Sequence, residues 1–152
     1  MNTLTSPTSP GALALERIVH FFETLTPQSV ADLPQIYDPH ARFKDPFNEV
    51  SGVAAITRIF EHMFVTLDRP RFVVTQRIRQ GEQCFLTWEF RFYFKGHKQG
   101  TEQVILGASH LVLSNTGLIT LHRDYWDAAE ELYEKLPLLG ALMRWVKRRV
   151  NA

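Results

Sequence analysis

A chain of 152 residues fits one domain and leaves little room for a second. Apolar residues make up 45% and charged ones 22%, a balance that argues against a disordered chain. Lys plus Arg 17 against Asp plus Glu 16 leaves +1, so no overall field favours nucleic acid, and the single Cys84 excludes a disulfide framework or a Cys-rich zinc site.

Residues 1–10, MNTLTSPTSP, are rich in Ser, Thr and Pro and read as a flexible arm. They lack the basic start and apolar stretch of a secretory signal. No apolar run approaches the about 20 residues that span a bilayer, so a cytoplasmic protein is expected. Residues 11–150 read as a single domain. Gly11 to Leu25 carries Leu13, Ile18, Val19, Phe21, Phe22 and Leu25 at helical spacing. Thr26 and Pro27 open a second, shorter helix through Val30, Leu33, Ile36 and Tyr37, with Pro34 a flaw inside it and an end near Asp38-Pro39. Ala41 to Phe47 is extended, because Pro46 disfavours helix at Asp45. Ser51 caps a third helix with Ile56, Ile59, Phe60, Met63, Phe64 and Leu67 on its apolar face.

After Pro70 the period becomes alternating. Arg71–Gln80, Cys84–Lys95, Glu102–Leu113 and Leu118–Trp126 read as four strands. Their short, Gly-containing separators, including the turn at His97, make them antiparallel hairpin neighbours. A helical segment starts near Asp127, is broken or kinked at Pro137, and resumes as a basic amphipathic helix over 138–150. Helices followed by a strand meander define an α+β fold. The expected shape is a cone: a curved antiparallel sheet packed against the N-terminal helices, with an extra C-terminal helix and a pocket inside.

Leu86, Trp88, Phe90, Phe92 and Phe94 share one face of the second long strand. The third long strand is apolar on both faces, with Ile105, Leu111 and Leu113 opposed to Val104, Leu106, Ala108 and Val112. Both faces need cover. Either a second subunit covers the outer face, as a homodimer, or the C-terminal helix folds back on it. That helix has Arg144, Lys147, Arg148 and Arg149 on a basic side. It packs on its own domain, forms a lid over the cone mouth, or touches a membrane surface.

The run Ile36 to Phe47 (IYDPHARFKDPF), followed by Gly52 to Ile56 (GVAAI), resembles the front half of ketosteroid-isomerase-like proteins. These belong to the nuclear transport factor 2-like superfamily, with the SnoaL-like proteins. The stretch Gly117 to Asp127 (GLITLHRDYWD) resembles the closing strand of SnoaL-like domains. The resemblance covers about residues 12 to 130. It implies that Asp45 stands at the position of the ketosteroid isomerase base. It also implies that Ser109, His122, Asp124 and Trp126 face the pocket, and that Glu89 and Arg91 lie outside. The chain departs from those isomerases where their hydrogen-bonding Tyr and Asp match Phe21 and Ser109, which argues against a true steroid isomerase.

Asp45 is a candidate general base, since an apolar pocket favours proton abstraction by a carboxylate. Its structural alternative is to accept loop amides before Pro46. His122 and Asp124, two apart on one strand, share a face and form either an acid/base pair or a buried polar cluster. Ser109 is a modest donor, and Phe21, Phe47, Phe60, Trp88, Phe90 and Trp126 are expected walls. No metal-ligand spacing or phosphate loop occurs, so neither metal nor cofactor is expected. The combined reading is a pocket protein of the SnoaL-like type. It would be a cofactor-independent isomerase, cyclase or dehydratase acting on a hydrophobic small molecule by Asp/His proton transfer. The alternative is a non-catalytic ligand-binding or dimeric interaction module.

Overall fold

Ser9 precedes the first helix. In the computed structural model, which describes residues 9–96, 100–131, 142, 144–146 and 148, the Ser9 hydroxyl accepts from the Ala12 amide at 3.3 Å. It caps helix α1, Pro10–Glu23. Pro10 opens this helix, where its missing amide costs nothing, so it belongs to the helix and not to an arm. Leu15, Ile18, Val19 and Phe22 follow the i, i+3, i+4, i+7 rule and form the buried face.

The expected second helix is only a 3₁₀ segment, Ser29–Gln35. The Ser29 amide donates to Thr26 Oγ1 at 3.1 Å and the Thr26 amide to Ser29 Oγ at 2.9 Å, which fixes the entry. Pro34 denies the i→i−4 ladder, so the segment stops short and Ile36 and Tyr37 leave the helix. Tyr37 instead starts strand β1, Tyr37–Lys44. A short strand β2, Glu49–Ser51, pairs back on β1 and runs into helix α2, Val53–Thr66. The residue at its cap is Gly52, not Ser51. Gly52 has φ +92, a conformation open to glycine, and its amide donates to Ala41 O at 2.8 Å.

Four long strands follow: β3, Leu67–Gln80; β4, Gln83–Phe94; β5, Gln103–Leu113; and β6, Ile119–Tyr125. Strand β3 starts before Pro70 rather than after it. Proline is tolerated there because β3 is an edge strand and the register shifts between Asp68 and Arg71. The sheet order is β2-β1-β6-β5-β4-β3. The hairpin neighbours are antiparallel as expected, but β1 runs parallel to β6, so the sheet is mixed. Register shifts in β3, between Tyr37 and Arg42 in β1, and between Val112 and Leu113 help curl it. A short helix α3, Ala128–Glu131, follows β6.

The helices cover the concave face. Ile18, Leu33, Ile56 and Ile119 are fully buried there, each worth about 1.5–3 kcal/mol relative to exposure. On the convex face, Ile78, Phe85, Leu106 and Tyr125 are all exposed. Beyond α3, Leu142, residues 144–146 and Arg148 are helical and exposed. The readings of residues 1–8 as an arm, of His97 in a turn, and of the rest of 138–150 as a lid or membrane-contacting helix lie outside the described residues. Among the described residues, no helix is long and apolar enough to cross a membrane.

Candidate functional site

The concave face encloses a cavity of ≈ 390 Å³. Helix α1 contributes Phe22, and α2 contributes Ile59, Phe60, Met63 and Thr66. Leu67, Phe72 and Val74 come from β3, and β4 supplies Leu86, Trp88, Phe90, Phe92 and Phe94. Phe47 and Phe94 are about half exposed, marking the mouth, while Ser109 and His122 are buried at 4% and 6% exposure. Among the described residues, the polar side chains on this wall besides the two indoles are Asp45, Thr66, Ser109, His122 and Asp124.

Strand register brings three of them together. Ser109 on β5 lies opposite Asp124 on β6, and His122 stands two residues before Asp124 on the same face. Ser109 Oγ donates to Asp124 Oδ1 at 2.5 Å, and His122 Nε2 lies 2.7 Å from the same oxygen. The Trp88 indole N–H donates to Ser109 Oγ at 2.8 Å. On the far side of the imidazole, Tyr37 Oη lies 2.5 Å from His122 Nδ1. The network assigns the protons: a carboxylate only accepts, so His122 carries its proton on Nε2. In the neutral ring Nδ1 is then an acceptor, and the Tyr37 hydroxyl donates to it. Two donor chains thus end on one oxygen, Tyr37 through His122 and Trp88 through Ser109. Asp124 Oδ2 has no hydrogen bond among the described residues.

Burial holds the Tyr37 phenol well above its ordinary range, and the charge on Asp124 adds to the shift. The His122 ring is fixed edge to face by Phe43 at 4.9 Å and Phe22 at 5.9 Å between ring centres. Among the described residues no group of three His, Cys, Asp or Glu side chains is arranged to hold a metal.

Asp45 lines the cavity but takes the loop role that its sequence context allows. Its Oδ1 accepts the amides of Phe47 at 2.7 Å and Asn48 at 2.6 Å. Asn48 Nδ2 donates to both carboxylate oxygens at 3.1 Å. This staple holds Phe47 at the mouth, edge to face with Trp126 at 5.5 Å. Phe60, Trp88, Phe90 and Trp126 also line the cavity as expected. Phe21 does not. It sits half-buried beside Phe22, which takes its place on the wall. The buried stripe Leu15, Ile18, Val19 already points to Phe22 as the next inward residue. Tyr37 was concealed by its helical spacing from Val30 and Leu33, although a buried His122 needs a partner for each ring nitrogen.

A curved six-stranded sheet wrapped with helices around an apolar cavity defines the nuclear transport factor 2-like class. A family model of the SnoaL-like domain matches residues 18–122, and the chain belongs to that family. Solved structures share the fold at low identity. One is a putative SnoaL-like polyketide cyclase from Shewanella putrefaciens, 17% identical with TM-score 0.65, covering 79% of this chain and 96% of the other. An LEH-like epoxide hydrolase of M. tuberculosis is 13% identical with TM-score 0.66, covering 93% and 99%. A ketosteroid-isomerase-like protein from Catenulispora acidiphila, in complex with trimethylamine, is 15% identical with TM-score 0.65, covering 78% and 88%. No curated protein matches by sequence.

The Tyr37–His122 bond generates a two-part prediction. At neutral pH, Tyr37→Phe leaves His122 Nδ1 buried without a donor and lowers stability by about 1–3 kcal/mol. At high pH the sign follows from the raised phenol: the unfolded chain ionises first, so stability held below about pH 10 is lost as pH rises. Urea unfolding across the alkaline range should show a steeper loss in wild type than in Tyr37→Phe. Equal slopes would place the phenol in contact with solvent.

Proposed function

We propose that the protein binds a hydrophobic small molecule in the cavity and moves a proton on it, as a cofactor-independent isomerase, cyclase or dehydratase. Asp124 is the base, and Oδ2 is its reacting atom. The supporting observation is the convergence of Ser109 and His122 on Oδ1, which fixes the carboxylate and leaves the other oxygen without a protein partner. A proton on a carbon or hydroxyl of the bound molecule passes to Oδ2 and returns to a second atom of the same molecule. The apolar wall would hold the hydrophobic molecule against the carboxylate. His122 and Ser109 hold that carboxylate, and Asp45 keeps the Phe47–Trp126 lip in place. A non-catalytic binding module is the second reading, favoured by one observation: no buried side-chain polar atom among the described residues lacks a partner.

A photoacid separates the two. 2-Naphthol is small enough for the cavity and on excitation gives up its hydroxyl proton to a nearby base, emitting as naphtholate. Bound to wild type it should emit as naphtholate; bound to Asp124→Asn it should bind comparably and emit as naphthol. Naphtholate emission that survives in Asp124→Asn contradicts the assignment. Loss only in Asp45→Asn would move the base to Asp45.

The convex face is proposed to be covered by a second copy of the chain. Ile78, Phe85, Leu106 and Tyr125 all lie on it and are 65%, 49%, 59% and 48% exposed, an apolar patch that water does not favour. Sedimentation equilibrium should find a dimer that Leu106→Glu converts to a monomer. A monomeric wild type, or a dimer indifferent to Leu106→Glu, refutes this.

A further inference from the structure

Strand β5 carries a glycine with no turn to explain it. Gly107 lies in mid-strand, its φ is not positive, and it pairs directly with Trp88 on β4. Glycine weakens a strand, and its presence there often marks a close approach by another group. Here the group is an indole. A Cβ built on Gly107 would lie 2.2 Å from Cη2, 2.5 Å from Cζ2 and 2.6 Å from Cζ3 of Trp88. The ring is confined on another side by Phe72, edge to face with centres 6.0 Å apart. Any side chain at 107 would force the indole out of its place.

That place fixes a hydroxyl. Ser109 Oγ has one hydrogen to give. Its neighbours are Trp88 Nε1 at 2.8 Å, Asp124 Oδ1 at 2.5 Å and His122 Nε2 at 3.4 Å. An indole N–H can only donate, so Oγ must accept from it, and the hydroxyl proton is left for Asp124. We propose that Gly107 and Trp88 are positioning residues for Asp124: the empty side-chain site at 107 is the slot for the indole, and the indole N–H holds Ser109 Oγ where its hydroxyl reaches Oδ1. This rests on Asp124 being the base and extends the machinery to two residues that never touch the reacting atoms.

The experiment uses the full chain labelled with nitrogen-15. Trp88→Phe assigns the Trp88 indole N–H among the three tryptophans. In wild type this proton should exchange slowly with solvent, and in Gly107→Ala about two- to tenfold faster, the value of one lost hydrogen bond. Unchanged protection in a folded Gly107→Ala overturns the slot. Because the clash also destabilises that variant, Gly107→Ala/Trp88→Phe supplies the second arm, since the shorter ring vacates the slot. The double variant should regain the unfolding midpoint lost in Gly107→Ala. Its naphtholate yield with 2-naphthol should stay as low as in Trp88→Phe alone. Recovery of yield together with stability would make the pair merely structural and overturn the positioning role. The Asp124→Asn control keeps the questions apart: naphtholate emission surviving there refutes the base, whereas indole exchange reports on the slot alone.

Discussion

A carboxylate set into an aromatic wall needs donors, and the rest of the site follows from how Asp124 obtains them. Charge removed from water without compensation is costly. Asp124 meets that cost with Ser109 and His122, both directed at Oδ1. Neither donor stands alone. Ser109 is held by Trp88, and His122 is held by Tyr37, so the charge on one oxygen depends on four other side chains from four strands, β1, β4, β5 and β6. The mixed sheet makes this reachable. Parallel pairing of β1 with β6 sets Tyr37 and Phe43 beside the strand that carries His122 and Asp124.

Polar and apolar duties are divided along the cavity. The deep wall holds the Ser109–His122–Asp124 cluster, while the mouth is aromatic, with Phe47, Trp126 and Phe94. Asp45 belongs to the mouth by its bonds, because its carboxylate organises the loop that carries Phe47. Two carboxylates on one cavity wall thus differ in their bonds: Asp45 is engaged through both oxygens by the loop, and Asp124 through Oδ1 by Ser109 and His122.

Much of this is legible in the residues. The alternation of Leu86, Trp88, Phe90 and Phe92 identifies the inward face of β4, and the spacing of His122 and Asp124 puts both on one side of β6. What the residues conceal has physical causes. Tyr37 sits at helical distance from Leu33, and only the loss of the ladder at Pro34 releases it into the sheet. Adjacent phenylalanines on α1 are separated by the buried stripe that ends in Phe22, not by likeness to another family's tyrosine. The parallel pairing of β1 with β6 joins segments separated by most of the chain, and local periodicity carries no trace of it. Gly107 reads as a weak point in a strand until the register places it under an indole.

The central claim concerns where one proton sits. If both donor chains end on Asp124, His122 is a neutral imidazole with its hydrogen on Nε2 and a bare Nδ1 facing the Tyr37 hydroxyl. Long-range proton–nitrogen NMR of the His122 ring at neutral pH reads this directly. The account predicts a protonated-type Nε2 and an acceptor-type Nδ1. A hydrogen on Nδ1, or on both nitrogens, would contradict it.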